Sequence, residues 1–187
     1  MAFPADLPKP QDDGACNHLT DLAIPSISLP PKSNPSHPID ISQLPGLTIL
    51  FCYPRTGAPG EVVPPEWDNI PGARGCTPQA CSFRDKLPQL KSMGVNQLFG
   101  LSTQDTDYQQ EVHARLGLPY DLLSDDKLKF QKALDLPTFE WQRKIVIRRL
   151  TLAIQDAKVV KWWYPIFPPD SNVFLVLEWL KERTDKK

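Results

Sequence analysis

The chain has 187 residues, with 41% hydrophobic and 23% charged residues, which fits one ordinary soluble domain with a sizeable core. Its formal net charge of -1, from 21 basic and 22 acidic residues, argues against a nucleic-acid or anionic-membrane surface. The start, MAFPADLPKP, has neither a basic nor an apolar leader region, and no apolar run approaches the roughly 20 residues of a membrane span, so the reading is a cytoplasmic protein.

Proline is abundant, at 21 residues against 9 glycines, and clusters over residues 4–65 and again at 164–169. Residues 1–21 read as an N-terminal arm, polar and proline-rich at its start. Residues 22–187 read as a single domain. Within it, 22–29 predicts a short edge strand and 47–53 a buried strand, bounded by Pro45-Gly46 and Pro54. The stretch 54–75, dense in proline and glycine, predicts a long irregular loop.

A helix is expected over 77–93, with Thr77 as N-cap, Pro78 in the first turn, Gly94 as its stop and Pro88 as an internal bend. Strand 95–102, helix 105–116, strand 120–124 and a short helix near 127–135 follow. Residues 144–155 and 158–164 read as two strands of a hairpin turning at Asp156-Ala157, and 171–183 as a closing amphipathic helix. This order predicts an α/β fold whose central mixed sheet, part parallel with an antiparallel edge, is flanked by helices. A thioredoxin-like fold has this order.

The chain has four cysteines, Cys16, Cys52, Cys76 and Cys81. Cys76 falls where a buried strand has passed through a loop into a helix start. Unpaired N–H groups and the helix dipole favour a thiolate there. Cys81 lies five residues on. In an ideal helix such positions have Cα atoms roughly 8–9 Å apart, whereas a disulfide needs about 7 Å or less. A Cys76–Cys81 bond therefore requires the first helical turn to unwind. On spacing alone the pair is equally compatible with two buried core thiols. Two thiolates supply only half a tetrahedral zinc site, and no histidine completes one by pattern. Cys52 reads as a packed core thiol. Cys16, beside His18, reads as incidental or as an alternative resolving thiol.

The runs Phe51-Cys52-Tyr53-Pro54 and Gly75-Cys76-Thr77-Pro78-Gln79-Ala80-Cys81-Ser82-Phe83-Arg84-Asp85 resemble atypical two-cysteine peroxiredoxins, specifically the peroxiredoxin Q or bacterioferritin comigratory protein subgroup. The likeness continues through Gly100–Thr103, Leu122–Asp125 and Arg149–Ile154. It implies a thioredoxin-like fold and a thiol-dependent peroxidase acting on hydrogen peroxide and alkyl hydroperoxides, without a cofactor or a metal. It further implies Cys76 as the peroxidatic cysteine, Cys81 as the resolving one and Arg149 as the thiolate's partner, with Arg148 the competing choice. A thioredoxin-like dithiol would be the reductant, and the protein a monomer or dimer.

One departure stands out. The family pattern places Thr or Ser three residues before the peroxidatic cysteine, and here that residue is Ala73. Pro54-Arg55-Thr56 looks like the start of the pattern, separated from its end by an insertion over 58–73. Thr56 is then the candidate for the displaced hydroxyl. The insertion is read either as a cover for the site or as surface decoration. Two other readings keep the fold but change the activity. One is a thiol-disulfide enzyme for a specialised small molecule, the other a redox-switched interaction protein.

Overall fold

The computed structural model describes residues 6–31, 34 and 36–185. Residues 1–5 of the arm and the final two lysines lie outside them. In chain order the elements are β1 (Ser28–Leu29), β2 (Ile39–Asp40), β3 (Leu47–Cys52), α1 (Pro65–Asp68), α2 (Cys76–Ser92), β4 (Val95–Ser102), α3 (Thr106–Leu116) and β5 (Leu122–Ser124). They continue with α4 (Lys129–Ala133), β6 (Thr138–Trp141), β7 (Lys144–Ile147), β8 (Leu150–Gln155), β9 (Lys158–Trp163) and α5 (Asn172–Asp185).

The central sheet has five strands in the order β5-β4-β3-β8-β9. β3, β4 and β5 run parallel, and β8 and β9 are antiparallel to their neighbours. β3 is buried along its whole length, as its apolar run predicts. Its side chains alternate between two cores. Ile49, Phe51 and the following Tyr53 pack with Phe83 of α2 and Val176 of α5, while Leu50 and Cys52 pack with Leu19, Phe130 and Ile147 on the opposite face. Phe51 stacks on Phe83 with ring centroids 4.6 Å apart.

The same alternation governs β8. Leu150, Leu152 and Ile154 join the core away from α2. Ala153 joins the α2 core, and Thr151 points the same way, toward α5. Position 149 continues the Thr151 side, and position 148 the other.

The structure departs from the sequence reading in four places. The strand read over 144–155 is two strands: β7 pairs with β6 in a separate hairpin, and the chain breaks register before β8. That hairpin turns on Gln142 and Arg143, both at positive φ (49° and 62°). Such a turn normally advertises itself with Asn or Gly, so neither the turn nor β6 is visible in the local pattern. The expected strand over 22–29 shrinks to β1, because Pro25 interrupts it and Ala23 forms only an isolated bridge to Lys158. The loop over 54–75 contains one helical turn, α1, which begins on Pro65, where a missing N–H costs nothing. α2 starts one residue earlier than predicted, with Gly75 rather than Thr77 as its N-cap, and continues through Pro88.

Cys16 and Leu19, drawn from the segment read as an arm, are fully buried beneath β8 and β9. No helix among the described residues is long and apolar enough to cross a membrane.

Candidate active site

β3 delivers the chain to one end of the sheet, the 54–75 segment loops away, and α2 brings it back at Cys76. Gly75 caps the helix in the left-handed region, at φ 102°, a conformation that costs glycine little. Pro78 has no N–H, and the Gln79 N–H donates to the Gly75 carbonyl. The first-turn N–H groups left to face an anion are those of Cys76 and Thr77. No acidic side chain lies in that turn to compete for the positive end of the helix.

Cys76 is 4% exposed. Its sulfur accepts a hydrogen bond from Arg149 Nη2 at 3.3 Å, and its S–H is directed at the Ala73 carbonyl at 3.7 Å. Arg149 is itself buried. It reaches Cys76 because position 149 faces the α2 side of the sheet. Arg148 points the other way, donating from Nε to the Thr138 carbonyl and lying over the Phe139 ring. Arg149 Nη2 also faces the carbonyls of Gly72 (3.2 Å), Ala73 (3.1 Å) and Arg74 (3.1 Å). Two hydrogens are thus shared among four acceptors, and one guanidinium ties the Gly72–Arg74 backbone to the cysteine. Nη1 donates to Gln79 Oε1. A fixed, permanently charged donor beside a sulfur favours the thiolate and any developing negative charge on an attacked oxygen.

Cys81 is half-buried, and all four cysteines are free thiols. Both Cys76 and Cys81 lie on the intact helix, roughly 8–9 Å apart by ideal helix geometry, too far for a bond. Cys81 lies near Arg84, which donates to the Leu116 carbonyl, and near Arg115. Cys16 and Cys52 sit in the other core. Burial pushes the Cys16 thiol up to about 12, with Asp13 and Asp12 adding to the shift. Burial raises Cys52 further still.

Thr56 is also buried, but its hydroxyl and its N–H both donate to Gln104 Oε1, at 3.3 and 2.9 Å, and Gln104 Nε2 donates back to the Thr56 carbonyl. The polar partners of the Cys76 sulfur are Arg149 and the Ala73 carbonyl instead. Cys76 and Arg149 are brought together, Cys81 is held one and a half turns away, and Thr56 is clasped elsewhere.

The segment over 58–73 packs against β6. Trp67, on α1, is 5% exposed and meets Trp141 edge-on at 5.0 Å and Phe139 at 5.8 Å, both on β6. Arg55 lies over the Trp67 ring and pairs with Glu61 at 2.5 Å, while Arg74 pairs with Asp68. The cavity beside Arg149, under Pro71 and Gly72, measures about 10 Å³, room for at most one water.

Sequence reasoning missed two buried polar residues of this site, Gln79 and Asn172. Gln79 lies three residues after Cys76, hence on the same helix face, and a glutamine there among apolar neighbours was a usable signal. Asn172 lies 93 residues away from Gln79, and nothing local to it points to the site.

A family model described as Redoxin matches residues 20–177. Peroxiredoxin bcp1 of Schizosaccharomyces pombe is 31% identical over 136 residues, which are 71% of this chain and 61% of that protein. Chloroplastic peroxiredoxin Q of Arabidopsis thaliana is 32% identical over 89 residues, 48% of this chain and 34% of its own length. The chain thus spans less than two thirds of these curated relatives. Among solved structures, peroxidoxin BcpB of Mycobacterium tuberculosis superposes with a TM-score of 0.69 at 23% identity, over 87% of this chain and 96% of its own. Peroxiredoxin Q of Xanthomonas campestris gives 0.66 at 20% identity, over 86% and 96%. At these identities the superpositions speak for the fold, which is thioredoxin-like. With the model match covering most of its length, the chain belongs to the Redoxin family, where its relatives are peroxiredoxins of the Q and Bcp kind.

Proposed function

We propose that this protein is a thiol-dependent peroxidase in which Cys76 is the nucleophile and Cys81 the resolving thiol. The observation that carries the reading is the Arg149 guanidinium, 3.3 Å from the Cys76 sulfur at the start of α2. The Cys76 thiolate attacks the terminal oxygen of ROOH. An S–O bond forms, the O–O bond breaks, and the departing alkoxide or hydroxide takes up a proton to leave as alcohol or water. Cys76 is then a sulfenic acid. The Cys81 thiol attacks its sulfur, an S–S bond forms, and water leaves. A dithiol of the thioredoxin kind, as found in the cytoplasm, reduces the bond and closes the cycle. The functional unit is the domain over 22–187, with 58–73 as its insertion.

Two movements follow from the geometry. The insertion must lift for a peroxide to reach a sulfur that is 4% exposed. The first turn of α2 must unwind for Cys76 and Cys81 to meet. Like the first turn of any helix, it carries N–H groups with no partner inside the helix, and Gly75 before it tolerates a wide range of backbone angles. Thr56 can serve the peroxide only if it exchanges Gln104 for the substrate.

Stopped-flow consumption of hydrogen peroxide by the reduced protein tests the reading. Fast loss that disappears in Cys76→Ser supports it. Loss no faster than that of a free thiol would overturn it. That outcome would favour a thiol-disulfide enzyme for another small molecule, a reading that rests on Ala73 presenting a carbonyl in place of the family's hydroxyl.

A further inference from the structure

We infer that Asn172, at the first turn of α5, is a positioning residue that fixes the amide of Gln79 so that its oxygen faces Arg149. The inference rests on the peroxidase reading for its consequence, though the geometry stands without it.

Gln79, Thr151 and Asn172 come from α2, β8 and α5, and none has measurable exposure. Their polar atoms form one directed chain. Thr151 Oγ1 donates to Asn172 Oδ1 at 2.7 Å, and Gln79 Nε2 donates to the same oxygen at 2.8 Å. Gln79 Oε1 then accepts from Arg149 Nη1. A carboxamide oxygen takes two such bonds, so Asn172 Oδ1 is full.

The direction of the chain matters because a glutamine amide has an accepting end and a donating end. Turned by 180°, Gln79 would set its NH₂ against the guanidinium, donor against donor, in a buried site. Asn172 prevents this by offering Nε2 an acceptor on the far side. Asn172 in turn could present its own NH₂, and the two donors converging on Oδ1 hold it from doing so. Asn172 Nδ2 has no hydrogen-bond partner among the described residues. The side chain therefore gains nothing from its nitrogen, and its orientation is set by the oxygen. Such an orphaned donor is destabilising in a core. Its presence is understandable if the oxygen is needed for Gln79, and through it for the pose of Arg149 at Cys76.

The test compares Asn172→Leu, Asn172→Asp and the near-isosteric Thr151→Val, each in the natural chain and in a Gln79→Glu background. In that background both ends of the side chain accept, so no amide orientation has to be held. Two readouts are taken with melting temperatures alongside: peroxide consumption, and alkylation of Cys76 and Cys81 by iodoacetamide as a function of pH.

In the natural chain, Asn172→Leu is expected to slow peroxide consumption about tenfold. It should also move the pH midpoint of Cys76 alkylation upward while leaving Cys81 unchanged. Asn172→Asp, which keeps the acceptor, should recover consumption to within about threefold, and Thr151→Val should show a weaker loss of the same kind. In the Gln79→Glu background, Asn172→Leu should change either readout by less than about threefold. Equal losses in both backgrounds, or no change in Cys76 alkylation in the natural chain, would overturn the inference. If Asn172→Leu does not fold, Thr151→Val decides by the same criteria. A chain that alkylates as expected but consumes peroxide no faster than a free thiol sinks the peroxidase reading and leaves this one standing.

Discussion

The protein holds two pairs of cysteines in two different solvents. Cys16 and Cys52 lie in the core away from α2, surrounded by leucine, isoleucine and phenylalanine, and burial is the main cause that drives their thiols up. Cys76 is almost as buried, yet it sits at a helix start with a guanidinium at 3.3 Å. Burial disfavours a thiolate, and fixed donors aimed at a sulfur oppose that cost. Around Cys16 and Cys52 the core is largely apolar, and the charges of Asp13 and Asp12 near Cys16 and of Asp125 near Cys52 repel a thiolate.

Alkylation of the folded protein should display the contrast at its largest. At pH 8 a thiol titrating near 12 is about one part in ten thousand thiolate, so Cys16 and Cys52 should stay unlabelled while Cys81 and, more slowly under its cover, Cys76 react. Labelling of Cys16 at a comparable rate would erase the distinction. Removing the donor is the next largest effect. Arg149→Leu should lower the rate of peroxide consumption by about 10²–10³, the usual cost of losing one preorganised donor. Arg148→Leu, on the other face of the strand, should cost far less.

The segment over 58–73, proposed above as a cover, offers a third probe of the two pairs. Trp67→Ala removes the ring that seats it on Phe139 and Trp141. Hydrogen exchange over 65–74 should rise and Cys76 alkylation should speed up several-fold, with Cys16 and Cys52 untouched. Unchanged Cys76 accessibility would mean that the insertion does not control entry. Thr56→Val is a smaller test. If its hydroxyl stays with Gln104, peroxide consumption should fall by less than about threefold. A tenfold loss would show that the hydroxyl leaves Gln104 for the substrate.

The inert pair should also appear in the pH dependence of stability. Folding raises the Cys16 thiol from its ordinary value near 9.0 to about 12, so the native state keeps a proton that the unfolded chain has lost. The resulting stabilisation is full below pH 9 and disappears progressively between pH 9 and 12. Cys52, Tyr53 and Tyr120, also raised by burial, add to the same slope. Cys16→Ala should flatten the fall in melting temperature over this window. An unaltered slope would mean that Cys16 is not held protonated.

Much of this arrangement is legible in the sequence, and the parts that are not share a cause. The buried run 47–53, the helix opening at Cys76 and the hairpin at Asp156-Ala157 follow from local pattern and turn chemistry. Arg149 is legible only through the family resemblance, and in the structure the alternation of β8 sets it apart from Arg148. The β6–β7 hairpin is hidden because its turn puts Gln142 and Arg143 at positive φ, where the surrounding contacts, not their own preferences, hold them. Gln79 was readable as a polar residue on the Cys76 face of α2. Asn172 was not, because its partners come from two other elements and meet it only in three dimensions. Thr56 shows the opposite failure. Its place in a motif suggested a partner at Cys76, but Gln104, 48 residues on, competes for the hydroxyl.

The most direct test of the contrast between the two pairs is peptide mapping after one equivalent of hydrogen peroxide is added to the reduced protein. The expected product carries a single Cys76–Cys81 linkage, with Cys16 and Cys52 recovered as free thiols. It should also show raised hydrogen exchange across residues 77–82, because an intact first turn cannot carry that bond. A linkage that includes Cys16 or Cys52, or a Cys76–Cys81 bond with exchange over 77–82 unchanged, would refute the division of the four thiols into a reactive and an inert pair.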